Sequence, residues 1–247
     1  MRTTNPALRP KLLEKYASVP SDQAMTVEGT INKAGLLLFL VVVPAAWVWM
    51  QVMRAVDPVT VVGPWVLGGA VGGLVVGLVT CFKQEWSPVT APIYALLEGL
   101  ALGGLSAWFE LTYHGIVVQA VALTFATLVG MLAAYRAGLI RATERFKAVV
   151  VTATCGIALF YLVSLGLGFF GIAVPYFQST STASIVLNLV IAGVAALNFV
   201  LDFDFITTGA EHGAPKFLEW YGAFGLMVTL IWLYLELLRL LSRLRRR

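Results

Sequence analysis

The sequence predicts an all-α, polytopic membrane protein: a bundle of seven spanning helices. Three observations predict it. The 247 residues are 59% hydrophobic and only 12% charged, about half the charged share of a water-soluble domain, so the chain cannot cover a globule with polar surface. Its mean hydropathy is +0.86. The apolar residues gather in seven runs, roughly 34–53, 61–82, 91–109, 115–135, 148–173, 184–206 and 217–242. Each is near the ~20 residues that a helix needs to cross a bilayer, and longer than a barrel strand.

Before the first run lies a polar segment of mixed charge, 1–33, read as a cytoplasmic N-terminal arm. It holds no short apolar core with a small-residue cleavage site, so no cleaved signal peptide is expected and insertion starts from the first span. Within it, 25–33 is expected to lie along the interface and lead into the membrane. The spanning domain then covers 34–242, and 243–247 is a basic C-terminal tail. Trp47, Trp49, Trp86, Trp108, Tyr113, Tyr135, Tyr176 and Trp220 fall towards the ends of the runs, where aromatic rings favour the headgroup zone.

Charge sets the orientation. The net charge of +4 is concentrated in the two terminal segments and one internal loop, a pattern of membrane topology and not of nucleic-acid binding. Arg136, Arg141, Arg145 and Lys147 follow the fourth run, on the same side as the basic N-terminus. The opposite loops carry little basic charge. The N-terminus is therefore expected in the cytoplasm. The C-terminal cluster Arg239, Arg243, Arg245, Arg246 and Arg247 pulls the other way, because seven crossings place it outside. A re-entrant segment and six crossings would be the alternative.

The second run carries Gly69, Gly73 and Gly77 at four-residue spacing, and the third carries Gly99 and Gly103. Such faces let helix backbones approach closely. Cys81 and Cys155 give neither a disulfide framework nor metal-ligand spacing and read as small apolar residues. His114 and His212 are isolated, and no serine sits in a nucleophile elbow. Nothing here is arranged as an enzyme, and no resident cofactor is expected.

Chemistry is left to carboxylates inside apolar runs, above all Glu98, Asp202 and Glu236. At the bilayer centre each costs roughly 2.5–3.5 kcal/mol or more if it faces lipid, so each should face the bundle or water and needs a partner. Glu236, in Trp232-Leu-Tyr-Leu-Glu236-Leu-Leu-Arg239, is the most informative. Its expected partner is Asp202, near the end of the preceding run. A straight hairpin would keep the two about 20 Å apart at 1.5 Å per residue. Contact therefore requires 215–221 to lie in the interface and the membrane helix to begin near Gly222. Two carboxylates brought together cannot both stay ionised cheaply, so they share a proton or are bridged by a cation such as Ca²⁺ or Mg²⁺. Either event would bias the sixth helix against the seventh, a proton-sensitive latch in an ion pathway. Arg239, three residues on, is the competing partner for Glu236. Asp204 falls nearly opposite Asp202 on the helix, closer to its cytoplasmic end. Glu98 is either a pathway acid or a polar packing contact. Asn188, Asn198, Gln119 and Thr124 either line a polar path or bridge helices.

These motifs resemble a family. Leu233-Tyr-Leu-Glu236 resembles the Leu-Tyr-Leu-Asp signature in the last helix of the Bax inhibitor-1 (TMBIM) family. The run from Leu201 through Asp202 to Ile206 resembles its Tyr-Asp-x-x-x-Ile at the end of the sixth helix. Glu98-Gly-Leu-Ala-Leu-Gly103 resembles its third-helix Glu/Ser-Gly-Leu-Thr-Leu pattern. The stretches around residues 5–8, 213–216 and 220–221 are most similar to its bacterial branch. The resemblance implies a seven-helix bundle with the seventh helix central. It also implies a pH-sensitive cation leak, chiefly of Ca²⁺, gated by an acid pair between the last two helices. By position, Asp202 and Glu236 take the gating and proton-sensing roles, with Ca²⁺ between them, and Glu236 stands where the family has aspartate. Glu98, Asp204 and Arg239 are secondary. The expected setting is a bacterial plasma membrane, with lipid, cations, protons and other membrane proteins as partners and no nucleic acid. The competing reading is a non-conducting membrane scaffold that regulates a membrane protease or a stress and survival response.

Overall fold

The structure, a computed structural model, describes residues 24–171 and 181–246. Expectations placed on 1–23, on 172–180 and on Arg247 lie outside the described residues. Seven long helices follow one another: α1 (Val27–Arg54), α2 (Pro58–Phe82), α3 (Ser87–Thr112), α4 (Ile116–Arg136), α5 (Glu144–Phe169), α6 (Thr182–Glu211) and α7 (Phe217–Arg245). One 3₁₀ turn, Gln84–Trp86, precedes α3. All seven are long and apolar enough to cross a bilayer. The chain is a multi-pass integral membrane protein.

Local chemistry sets the helix ends. Thr26 Oγ1 accepts the Gly29 amide at 2.9 Å, Asp57 Oδ1 accepts that of Val59 at 3.1 Å, and Thr143 Oγ1 accepts that of Phe146 at 3.3 Å. Each satisfies a donor that the first helical turn leaves unpaired. Pro58 then occupies the first position of α2, where its missing N–H costs nothing. After α6 the chain turns through Gly213, whose φ of 62° lies in the left-handed region that glycine tolerates.

Two corrections follow from these boundaries. The segment 25–33 is not an element separate from the first span: from Val27 it forms the first turns of α1 behind the Thr26 cap. The last helix does not begin near Gly222 either. It runs unbroken from Phe217, because nothing in 217–222 interrupts its hydrogen-bond ladder.

The chain divides into two compact units. The first comprises α1–α3 with 204–228, and the second comprises 113–203 with 229–247. In the first unit α3 packs on both α1 and α2, and more than half of its span is buried. Glycines make both contacts. A Cβ at Gly69 would meet Leu97 O at 2.6 Å and Ala101 N at 2.7 Å, so α2 lies backbone to backbone on α3. From the other side Gly99 faces the Val41 carbonyl and Pro44, and Gly103 faces Ala45 of α1. Close van der Waals packing of this kind holds helices together where lipid removes the hydrophobic driving force.

The start of the described chain is fastened to the start of α7, also within the first unit. Ala24 forms an isolated antiparallel bridge with Pro215, and Met25 N donates to Ala214 O at 2.6 Å. Glu219, almost fully buried, accepts from Thr26 N at 2.9 Å and Thr26 Oγ1 at 3.0 Å. It also forms an ion pair with Lys33, whose ammonium lies 5.5 Å from the Trp220 ring centroid. Farther along, Phe224 packs edge-on against Tyr94 of α3. In the second unit, the later turns of α7 bond to α5 and α6. α7 thus bonds to neighbours in both units, the central position expected of it.

The glycine face gives a matched pair of substitutions. Gly69→Ala should destabilise the protein by about 1–3 kcal/mol through overpacking against α3. Gly68→Ala, whose added Cβ meets nothing within 4 Å, should be neutral or slightly stabilising. Thermal unfolding of the two variants in the same detergent checks this, and equal effects would count against the close contact.

Candidate functional site

In the second unit the polar side chains of α5, α6 and α7 converge on Glu236, which is 1% exposed. Tyr161 of α5 donates its hydroxyl to Oε1 at 2.6 Å. Asn188 of α6, fully buried, donates Nδ2 to Oε2 at 2.6 Å. Arg239 Nη1 reaches Oε1 at 2.9 Å and Oε2 at 3.1 Å, and donates to the Tyr161 hydroxyl at 2.9 Å. Both oxygens therefore carry two hydrogen bonds, and the charge is balanced one turn away on the same helix.

This knot explains an otherwise costly detail. Asn188 Oδ1 is buried with no hydrogen-bond partner among the described residues, a loss of about 1–3 kcal/mol. Turning the amide round would aim Oδ1 at the carboxylate. The orientation that serves Glu236 is the one that strands Oδ1, so Asn188 is held for its donor. Arg243, one turn beyond Arg239, is also buried and donates to Ser184 O at 2.8 Å, a second tie from α7 to α6.

Asp202 is placed differently. It is half-buried on α6 and accepts a hydrogen bond from Thr229 of α7 at 2.7 Å. Among the described residues no cation pairs with it. Thr229 and Glu236 are seven residues apart on α7, hence on one face and about 10 Å apart along the axis. Asp202 and Glu236 are therefore not brought together as a touching pair. Each is held to the other helix by its own partner, at two levels of the α6–α7 hairpin. The physical reason is the unbroken α7 together with Arg239, which meets Glu236 within its own helix.

The remaining acids belong to the first unit. Glu98 is half-buried on α3 and hydrogen-bonded to Tyr94 one turn earlier. Its carboxylate lies over Gly73 of α2, where a Cβ would meet Oε1 at 2.6 Å. Asp204 is half-buried, and its carbonyl accepts from Thr207 Oγ1 at 3.2 Å. Among the described residues no group of three or more His, Cys, Asp or Glu side chains is placed to hold a metal ion.

Of the polar residues noted in the sequence, Asn198 bridges α6 to Thr154 of α5 at 2.9 Å. Thr124 bonds back to Ala120 O in its own helix. Tyr161 and Thr229 carried no sequence signal of their own, whereas Glu219 did: it is a carboxylate at the start of the last apolar run. The seven-residue spacing of Thr229 and Glu236 was visible, and would have marked Thr229 as facing the same neighbour.

Comparison with known proteins gives the class. The sequence profile of the family described as Bax inhibitor 1 like matches residues 5–246, nearly the whole chain, and the chain belongs to that family. No curated protein and no solved structure gives a significant match. Family membership agrees with a role in membrane transport in general.

The knot around Glu236 makes a stability prediction. Arg239→Met should strand a buried carboxylate and cost on the order of 3 kcal/mol, at the low end for a buried pair because the Arg239 side chain is 30% exposed. Glu236→Gln in the same background should recover much of that loss. Unfolding measurements on the two single variants and the double variant check the coupling, and simple additivity would show that the pair is not one unit.

Proposed function

We propose that this protein is a pH-sensitive cation leak, with Ca²⁺ as its cargo, in which Asp202 is the responsive gate acid and Glu236 the anchored one. The observation that carries this reading is the unequal holding of the two acids. Glu236 receives four hydrogen bonds from three side chains, so a proton or a cation can reach it only by displacing them. Asp202 has a hydroxyl partner and no cation beside it among the described residues. A proton or a hard cation arriving at Asp202 competes only with the Thr229 hydroxyl. Losing the Asp202–Thr229 bond would release α6 from α7 at that level, while the Glu236 knot keeps the helices in register.

Glu98 is a second acid of the pathway, and its place over a glycine lets the carboxylate sit close to the α2 backbone. Asp204 and Arg239 are secondary: Arg239 sets the charge of the Glu236 knot. The basic 136–147 segment and the basic residues before α1 favour a cytoplasmic N-terminus. The sequence likeness to the bacterial branch of the family points to a bacterial plasma membrane.

Calcium uptake into proteoliposomes between about pH 6 and 8 tests the reading. Wild type should carry a pH-dependent flux, and Asp202→Asn should carry a flux that no longer depends on pH. A folded wild-type protein with no flux above protein-free liposomes would overturn it in favour of a non-conducting scaffold that acts on another membrane protein.

A further inference from the structure

The end of α7 carries charge that no acid among the described residues answers. Arg245 Nη1 donates to His114 O at 2.6 Å and its Nη2 to Gln119 Oε1 at 3.1 Å. Arg246 Nε donates to the Tyr113 hydroxyl at 2.8 Å. These partners are neutral, and among the described residues neither guanidinium has a carboxylate within ion-pair distance. Both arginines are exposed. The contrast with the same helix is plain: Arg239 is paired with Glu236 and Arg243 is buried against Ser184 O. The positive end of α4, which starts at Ile116 beside these partners, adds to the uncompensated charge instead of offsetting it.

A guanidinium held by neutral acceptors keeps its charge and its remaining N–H groups for an outside anion, and its flat donor edge matches a phosphate. Position narrows the source. The two arginines end a spanning helix, where lipid headgroups lie, and Leu244 beside them is half exposed, at 50%. An anion bound here therefore has an apolar neighbour suited to an acyl chain.

We propose that Arg245 and Arg246, positioned by Tyr113, His114 and Gln119, form a binding site for the phosphate of an anionic lipid headgroup. The site tethers the end of α7 to the α3–α4 connection through a lipid. It is independent of ion conduction and of the acids in the spans.

The test uses the full chain in nanodiscs of equal phosphatidylglycerol and phosphatidylcholine, with lipid retained after mild delipidation read by native mass spectrometry. Wild type should retain phosphatidylglycerol with roughly tenfold preference. R245Q/R246Q should fall to parity. Q119E, which sets a carboxylate against Arg245 without removing an arginine, should lower the preference while leaving the fold intact. R141Q/R145Q, which removes two exposed arginines elsewhere, should keep it. No preference in wild type, or an equal loss in R141Q/R145Q, would overturn the proposal. Displacement of the lipid by millimolar inorganic phosphate would also overturn it, by showing a site for soluble phosphate.

Discussion

A charge that has left water must be met inside the protein, and the way Glu236 is met organises the second unit. Three side chains from three helices spend their donors on one carboxylate. The need is strong enough that Asn188 leaves its own carbonyl oxygen without a partner among the described residues. Such a knot fixes the rotation of α5 and α6 against α7, because turning any of the helices would strand a buried polar group. Apolar packing alone could not do this in lipid, where one greasy face is as good as another.

The first unit solves the same problem by different means. Its helices approach until backbone meets backbone, and the glycines of α2 and α3 make that possible. Its buried acid, Glu219, is answered by Lys33 and by the capping threonine of α1. That bond ties the beginning of the described chain to the beginning of α7. Both parts of α7 are thus held by an acid on α7 itself, Glu219 in one unit and Glu236 in the other. This gives a physical reason for a central last helix that is less uniformly apolar than its neighbours.

Much of the fold was legible because its cause is composition. Seven apolar runs of spanning length dictate seven helices whatever their packing, and the four-residue glycine spacing marked the contact face of α2 correctly. The acids were legible as costly residues, and Arg239 was legible as a partner for Glu236 within its own helix, but the partners across helices were not. Which groups meet across helices depends on helix rotation and relative shift, and neither leaves a local trace in the sequence. Tyr161 sits in an apolar stretch like any interfacial aromatic, and Thr229 like any small helix-packing residue. A break before Gly222 would let Asp202 reach Glu236. The chain keeps α7 whole instead, since Arg239 already serves Glu236 and Thr229 already serves Asp202.

The division of labour between the two acids is open to direct measurement. Infrared difference spectroscopy of the reconstituted protein, stepped between about pH 6 and 8, reports carboxyl groups that gain or lose a proton. The expected result is a carboxyl band that is present in wild type, absent in Asp202→Asn and unchanged in Glu236→Gln. A band that survives Asp202→Asn and disappears in Glu236→Gln would contradict it, and would make the knot, not the single tether, the responsive element.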